Sequence, residues 1–216
     1  MKIRPSVCFI LLGLLLVLLF AADLLLGSVS LAAAEVMRVL TGHSTDPQTT
    51  TLVTHFRLPK AVSAIVVGAA LSASGLQMQT LFRNPLAGPY VLGISSGASL
   101  GVSLFLLGAP LLGISFASEA LRNVGIVGSA WIGGALILLV IMAVSARLKD
   151  IMAILILGMM FGSAASAVVQ ILQYLSTDSA LKSFVIWTMG SLGGVSLAQL
   201  GLMSGIVLTG LVLSVY

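Results

Sequence analysis

The chain has 216 residues, of which 59% are hydrophobic and only 7% charged, with a mean hydropathy of +1.19. A water-soluble domain of that composition would expose larger apolar patches than monomers tolerate, so lipid is the expected solvent. The formal charge of +4 comes from ten basic residues scattered over several connections, which form no patch for nucleic acid, and one cysteine excludes a disulfide framework or a zinc site.

A helix needs roughly 20 mostly apolar residues to cross a hydrocarbon core of about 30 Å. The first such stretch is Val7–Gly27, which contains Cys8. Lys2 and Arg4 before it, and Ala21-Ala22 or Ala32–Ala34 near its end, outline a secretory signal. Its apolar run exceeds the roughly 7–15 residues of a signal core, however, and further spans follow, so it is read as a membrane helix. Asp23, the only charge at membrane depth, sits near the end of this span and is read as interfacial. His43 and His55 fall in the polar connection that follows, as solvated loop histidines.

Span two is Lys60–Phe82, and the connection Arg83-Asn84-Pro85-Leu86-Ala87-Gly88-Pro89 is either a tight turn or a helix start, with Asn as cap and Pro in the first turn. Spans three, four and five are Pro89–Gly108, Val124–Ala146 and Ile151–Leu175. The apolar stretch Ser183–Met189, followed by Gly190, Gly193 and Gly194, is too short to cross and reads as re-entrant or interfacial. A sixth span begins near Leu200 and is cut off at Tyr216. The alternation of a membrane β-barrel is absent. The expected fold is therefore an all-α polytopic bundle of five full spans, a short re-entrant helix and an incomplete sixth span, in one transmembrane domain over 1–216 that is expected to be truncated at its C-terminus.

With the N-terminus inside, Lys2, Arg4, Arg83, Arg147 and Lys149 are cytoplasmic, and Arg38, Arg57, Lys60, Arg122 and Lys182 are outside. The totals tie, but the inside cations sit in short connections beside span ends, where the positive-inside bias acts most strongly. Small residues recur four apart at Gly93, Gly97 and Gly101, at Gly125, Ser129 and Gly133, and at Gly158, Gly162 and Ser166. Such faces let helix backbones approach closely in lipid.

In span five, Ser163, Ser166, Gln170 and Gln173 share one helical face, with Met159 a turn earlier. Polar groups at membrane depth need water or protein partners, so this stripe either lines an aqueous path or bonds to neighbouring helices. A shallower stripe at Ser95, Ser99 and Ser103 is assigned to packing. No phosphate-binding loop, Ser/His/Asp set or metal-ligand cluster lies in the spans, and no cofactor is expected. If the bundle moves something uphill, its energy comes from another chain.

The run Arg57-Leu58-Pro59-Lys60, then Gly68-Ala69-Ala70-Leu71, Ser74-Gly75, Gln79, Arg83-Asn84-Pro85-Leu86-Ala87, Pro89 and Leu92-Gly93 resembles the signature of type II ABC importer permeases. These FecCD-type proteins carry ferric siderophores, haem or cobalamin. Tyr174-Leu175-Ser176-Thr177 and Trp187-Thr188-Met189-Gly190-Ser191-Leu192-Gly193-Gly194 look like the end of the family's fifth helix and its re-entrant helix. The resemblance spans nearly all of this chain and about the N-terminal two-thirds of a usual member.

The resemblance implies a homodimer whose central path is lined partly by the fifth and re-entrant helices, which favours the path reading of Met159, Ser163, Ser166, Gln170 and Gln173. It implies that Arg57 and Lys60 face the periplasm and receive acidic residues of a substrate-binding protein; the alternative for these cations is snorkelling at the interface. It also maps the cytoplasmic gate onto Ile151 and Met152, which are bulky and apolar where the cobalamin permease has small hydroxyl residues. The expected protein is a bacterial inner-membrane permease subunit, not itself an enzyme, moving an iron complex with a periplasmic binding protein and a cytoplasmic ABC ATPase. The alternatives are a cobalamin permease, an ATPase-independent facilitator or secondary transporter, and a non-transporting anchor.

Overall fold

A computed structural model describes residues 4–43, 46–114, 118–147 and 150–214, so Lys2, Lys149 and Tyr216 lie outside the described residues. In chain order the helices are α1 (Pro5–Leu25), α2 (Ala33–Leu40), α3 (Pro47–Phe82), α4 (Ile94–Leu111), α5 (Glu119–Ser145), α6 (Ile151–Leu175), α7 (Asp178–Met189) and α8 (Leu197–Leu213). A short 3₁₀ turn, Pro89–Leu92, precedes α4. There is no strand among the described residues, and the expectation of an all-α polytopic bundle is met. Helices α1, α3, α4, α5 and α6 are long and apolar enough to cross a membrane, while α8 is a shorter apolar helix.

Several expected boundaries change, span three starting at Ile94 rather than Pro89 and span four at Glu119 rather than Val124. The second long helix begins at Pro47, not Lys60, because Asp46 starts it and a π-helical turn at Leu52–Arg57 carries it onward without a break. Asp46 accepts hydrogen bonds from the Gln48 and Thr49 amides at 3.2 and 3.1 Å, and Pro47 occupies the first turn, where its missing N–H costs nothing. The apolar stretch Ser183–Met189 is the second half of α7, which starts five residues earlier at Asp178 and ends at Gly190 with φ 69°. A second π-helical turn, Leu104–Gly108, lies within α4.

The helices fall into two compact units, residues 1–70 with 191–216, and residues 71–190. In the first, Leu24 of α1, Val36 and Val39 of the amphipathic α2, and Val53 and Ala61 of α3 form one buried cluster. The Glu35 carboxylate accepts from the Ala32 amide and closes the start of α2. Ser196 and Gln199 cap α8 reciprocally, the Ser196 hydroxyl accepting at 3.3 Å and the Gln199 carbonyl accepting at 2.9 Å.

In the second unit, α4 packs against α5 and α6 along the small-residue faces. A Cβ on Gly97 would sit 2.6 Å from the Gly133 carbonyl oxygen, and one on Gly158 would sit 2.6 Å from that of Val91. These approaches bring backbones within ordinary van der Waals contact, the source of cohesion where lipid removes the hydrophobic drive. Val102, Leu106, Leu107, Val169 and Phe184 form a buried cluster joining α4, α6 and α7, and Phe82, Ala87, Leu92 and Ile141 form another.

Candidate functional site

Helices α4, α6 and α7 leave two adjoining cavities of about 320 and 430 Å³, which share Ser96, Ser166 and Gln170. The larger is also lined by Tyr90, Met159 and Ser163, and the smaller by Ser95, Ser99, Gln173 and Thr188. All five side chains of the α6 stripe therefore lie on one cleft. Ser163 donates to the Met159 carbonyl and Ser166 to that of Gly162, both at 2.9 Å, so their protons are used within the helix while their lone pairs face the cleft. Gln170 and Gln173 make no side-chain hydrogen bond among the described residues, which leaves their amides available to water or another polar partner. Every polar side chain on this lining is a hydroxyl or an amide, with no acidic or basic group.

Arg57 and Lys60 lie in the first unit and take different roles in its packing. Arg57 is only 7% exposed. Its guanidinium donates to the carbonyl of Leu24 at 2.7 Å and of Leu25 at 3.0 Å, and to that of Val29. Those carbonyls belong to the last turn of α1 and the segment after it, where a helix leaves acceptors unpaired and its dipole favours a cation. A Cβ on Gly27 would come within 3.1 Å of the same guanidinium, so the segment is fitted closely around it. The expectation that Arg57 presents its charge to a partner thus meets a buried group already occupied by backbone. Lys60 is half exposed and pairs with Asp23 at 3.0 Å, which fixes Asp23 as the partner of an edge cation. Ile151 and Met152 stand exposed in the first turn of α6, where the Asp150 carboxylate accepts from the Met152 amide at 2.9 Å.

The connection after α3 is built by the residues that carry the sequence signature. Arg83 takes the left-handed conformation, φ 47°, with its amide on the Thr80 carbonyl and the Asn84 amide on the Gln79 carbonyl at 3.1 Å, a Schellman closure with arginine where glycine is usual. Asn84 does not cap a helix; its side chain accepts from the Leu86 amide at 2.9 Å, and Pro85 lies inside that Asx turn. Pro89 opens the 3₁₀ turn, and Gly93 follows at φ 70° with a Cβ position 2.8 Å from the Gly158 carbonyl, where only glycine fits. Residues 14–216 match the FecCD transport family. The chain belongs to that family.

Among its relatives, the hemin transport system permease protein of Yersinia pestis is 37% identical over 96% of this chain and 60% of its own length. The vitamin B12 import system permease protein of Escherichia coli is 37% identical over 82% of this chain, and the molybdate import system permease protein of Haemophilus influenzae 33% identical over 83%, each over 52% of the relative's length. The FecCD chain therefore spans roughly half to three-fifths of the curated relatives it matches. A solved structure of a metal-chelate type ABC transporter in an inward-facing conformation aligns with TM-score 0.72 and 31% identity, over 91% of this chain and 57% of that one.

Within this FecCD chain, sequence reasoning missed the contribution of α4 to the cleft. Ser95, Ser96 and Ser99 line it, whereas only Ser103 of the expected packing stripe is buried, donating to the Leu100 carbonyl at 2.8 Å. The signal was present as the pairing of Ser96 with the Ser95 and Ser99 stripe, which widens the polar face by one position. Thr188, one residue from the end of α7, had no periodic partner to mark it.

Proposed function

We propose that this chain supplies the membrane permease part of an ABC importer that moves an iron complex, a siderophore or haem, across the bacterial inner membrane into the cytoplasm. The observation that carries the reading is the cleft of hydroxyls and amides between membrane helices of a FecCD chain. A lining of dipoles can hydrate a large polar chelate without holding it by charge, and irregular polar surface at membrane depth persists only around protein or water. The iron assignment draws support from the hemin relative, which aligns with 96% of the chain. Cobalamin is the second reading, favoured by the vitamin B12 relative.

In this proposal two permease copies pair around the path, a periplasmic binding protein delivers cargo, and a cytoplasmic ATPase supplies energy. Met159, Ser163, Ser166, Gln170 and Gln173 line the path, with Ile151 and Met152 at its cytoplasmic end and the N-terminus in the cytoplasm. Lys60, the exposed member of the basic pair, meets the acidic partner, and Arg57 holds the surface from beneath. The test places single cysteines at Ser163, Ser166, Gln170 and, on the opposite face of α6, Val168, in the intact transporter with Cys8→Ser. Small polar thiol reagents should label the first three and spare the fourth. Equal protection on both faces would sink the path.

A further inference from the structure

A third cavity, of about 310 Å³, lies away from the cleft at the C-terminal end of α4, the first turn of α5 and the start of α7. Its lining combines polar residues, Arg122, Thr177, Ser179 and Ser183, with apolar ones that include Leu106 and Pro110. Arg122 is half-buried, yet its guanidinium makes no hydrogen bond or ion pair with any described residue. Glu119 and Asp178 stand in the first turns of α5 and α7, but neither lines the cavity or pairs with it. Thr177 and Ser179 share a single hydroxyl contact of 3.4 Å, so one of their two protons remains to be donated. Ser183 spends its proton on the Ser179 carbonyl at 3.0 Å.

We propose that this cavity binds the phosphate of a phospholipid headgroup. A partly desolvated cation without a counter-charge is costly, and an anion in the cavity relieves that cost. The guanidinium fork matches two phosphate oxygens, and the free hydroxyl proton supplies a third donor. The apolar part of the lining is what distinguishes a lipid from free phosphate, since the exposed Pro110 and Ile114 can cover the glycerol and upper acyl carbons. The cavity also sits where long apolar helices end and connections begin, at the C-terminal end of α4 and the first turn of α5.

The intact transporter, purified in detergent, is titrated with phosphatidylglycerol, and bound lipid is counted by native mass spectrometry. Arg122→Gln should weaken retention about tenfold, the effect of one lost charge-assisted contact, and Ser179→Ala a few-fold. Arg122→Lys should recover part of the loss, and Arg147→Gln should change nothing. Three results overturn the proposal. They are equal retention by Arg122→Gln and the parent, inorganic phosphate competing as well as the lipid, and loss of binding-protein affinity in Arg122→Gln with lipid retention unchanged.

Discussion

The contact between α4 and α5 makes a prediction whose sign depends on geometry. An alanine at Gly97 puts its methyl 2.6 Å from the Gly133 carbonyl oxygen and equally close to Cγ1 of Ile137. Carbon and oxygen at rest keep about 3.3–3.6 Å apart, so the helices must separate by roughly 0.7–1 Å. A gap of that size forfeits about a quarter to a half of the dispersion between facing atoms, and overpacking of this kind costs about 1–3 kcal/mol. Helix propensity returns about 0.5–1 kcal/mol on replacing glycine by alanine, leaving a net loss of about 0–2.5 kcal/mol. Gly128 lies on the same helix as Gly133, but a Cβ there meets nothing within 4 Å, so Gly128→Ala keeps only the propensity gain. The two variants should move reversible unfolding in mixed detergent and dodecyl sulfate micelles in opposite directions. Gly97→Ala with Gly133→Ala should cost less than the sum of the single changes, because one separation accommodates both methyls. Gly97→Ala above parent stability, or Gly128→Ala well below it, would refute the close-contact argument.

Arg57 and Lys60 should respond in opposite ways. Arg57→Ala removes a guanidinium bonded to three carbonyls and should cost about 2–4 kcal/mol, with faster amide exchange across residues 26–32, and Arg57→Lys should recover little because an ammonium lacks the planar fork. Lys60→Glu breaks an exposed pair and should change stability by less than about 1 kcal/mol while weakening association with the acidic partner at low salt. Unaltered association would remove Lys60 from the docking surface. At Asp46, the Thr49 hydroxyl, then the Thr49 and Gln48 amides, hold the carboxyl below its usual range. A depressed carboxyl stabilises the fold above its unfolded value, so the α3 cap should be intact above about pH 4 and be lost as pH falls through the lowered value. The amide shifts of Gln48 and Thr49 should follow that loss, whereas Asp46→Asn should show no such titration.

The long helices were legible because uninterrupted apolar length is the strongest signal a membrane chain carries, and the four-residue spacing of Gly93, Gly97 and Gly101 announced a close backbone approach. The α6 stripe was equally visible, since Ser163, Ser166, Gln170 and Gln173 repeat with the helical period. The early start of α3 was hidden. His55 reads as part of a polar connection, and nothing in a sequence marks a π-helical turn. The burial of Arg57 was hidden for a different reason. Its partners are backbone carbonyls about thirty residues away, which have no side-chain identity to recognise.

The wide turn at Leu52–Arg57 also bears on how this part of the chain can vary in length. The Leu58 amide reaches the Val53 carbonyl, five residues back, so the turn holds one residue beyond the α-helical count. That surplus rotates everything upstream by about 100° relative to the helix below it. Loss of a single residue here would convert the turn to an ordinary α-turn, leaving the helix after it in register and swinging the upstream end, with the Pro47–Thr51 segment and the buried Val53, onto a new face. A one-codon deletion, ruinous in mid-helix, would act at this point as a change of orientation for the segment before it.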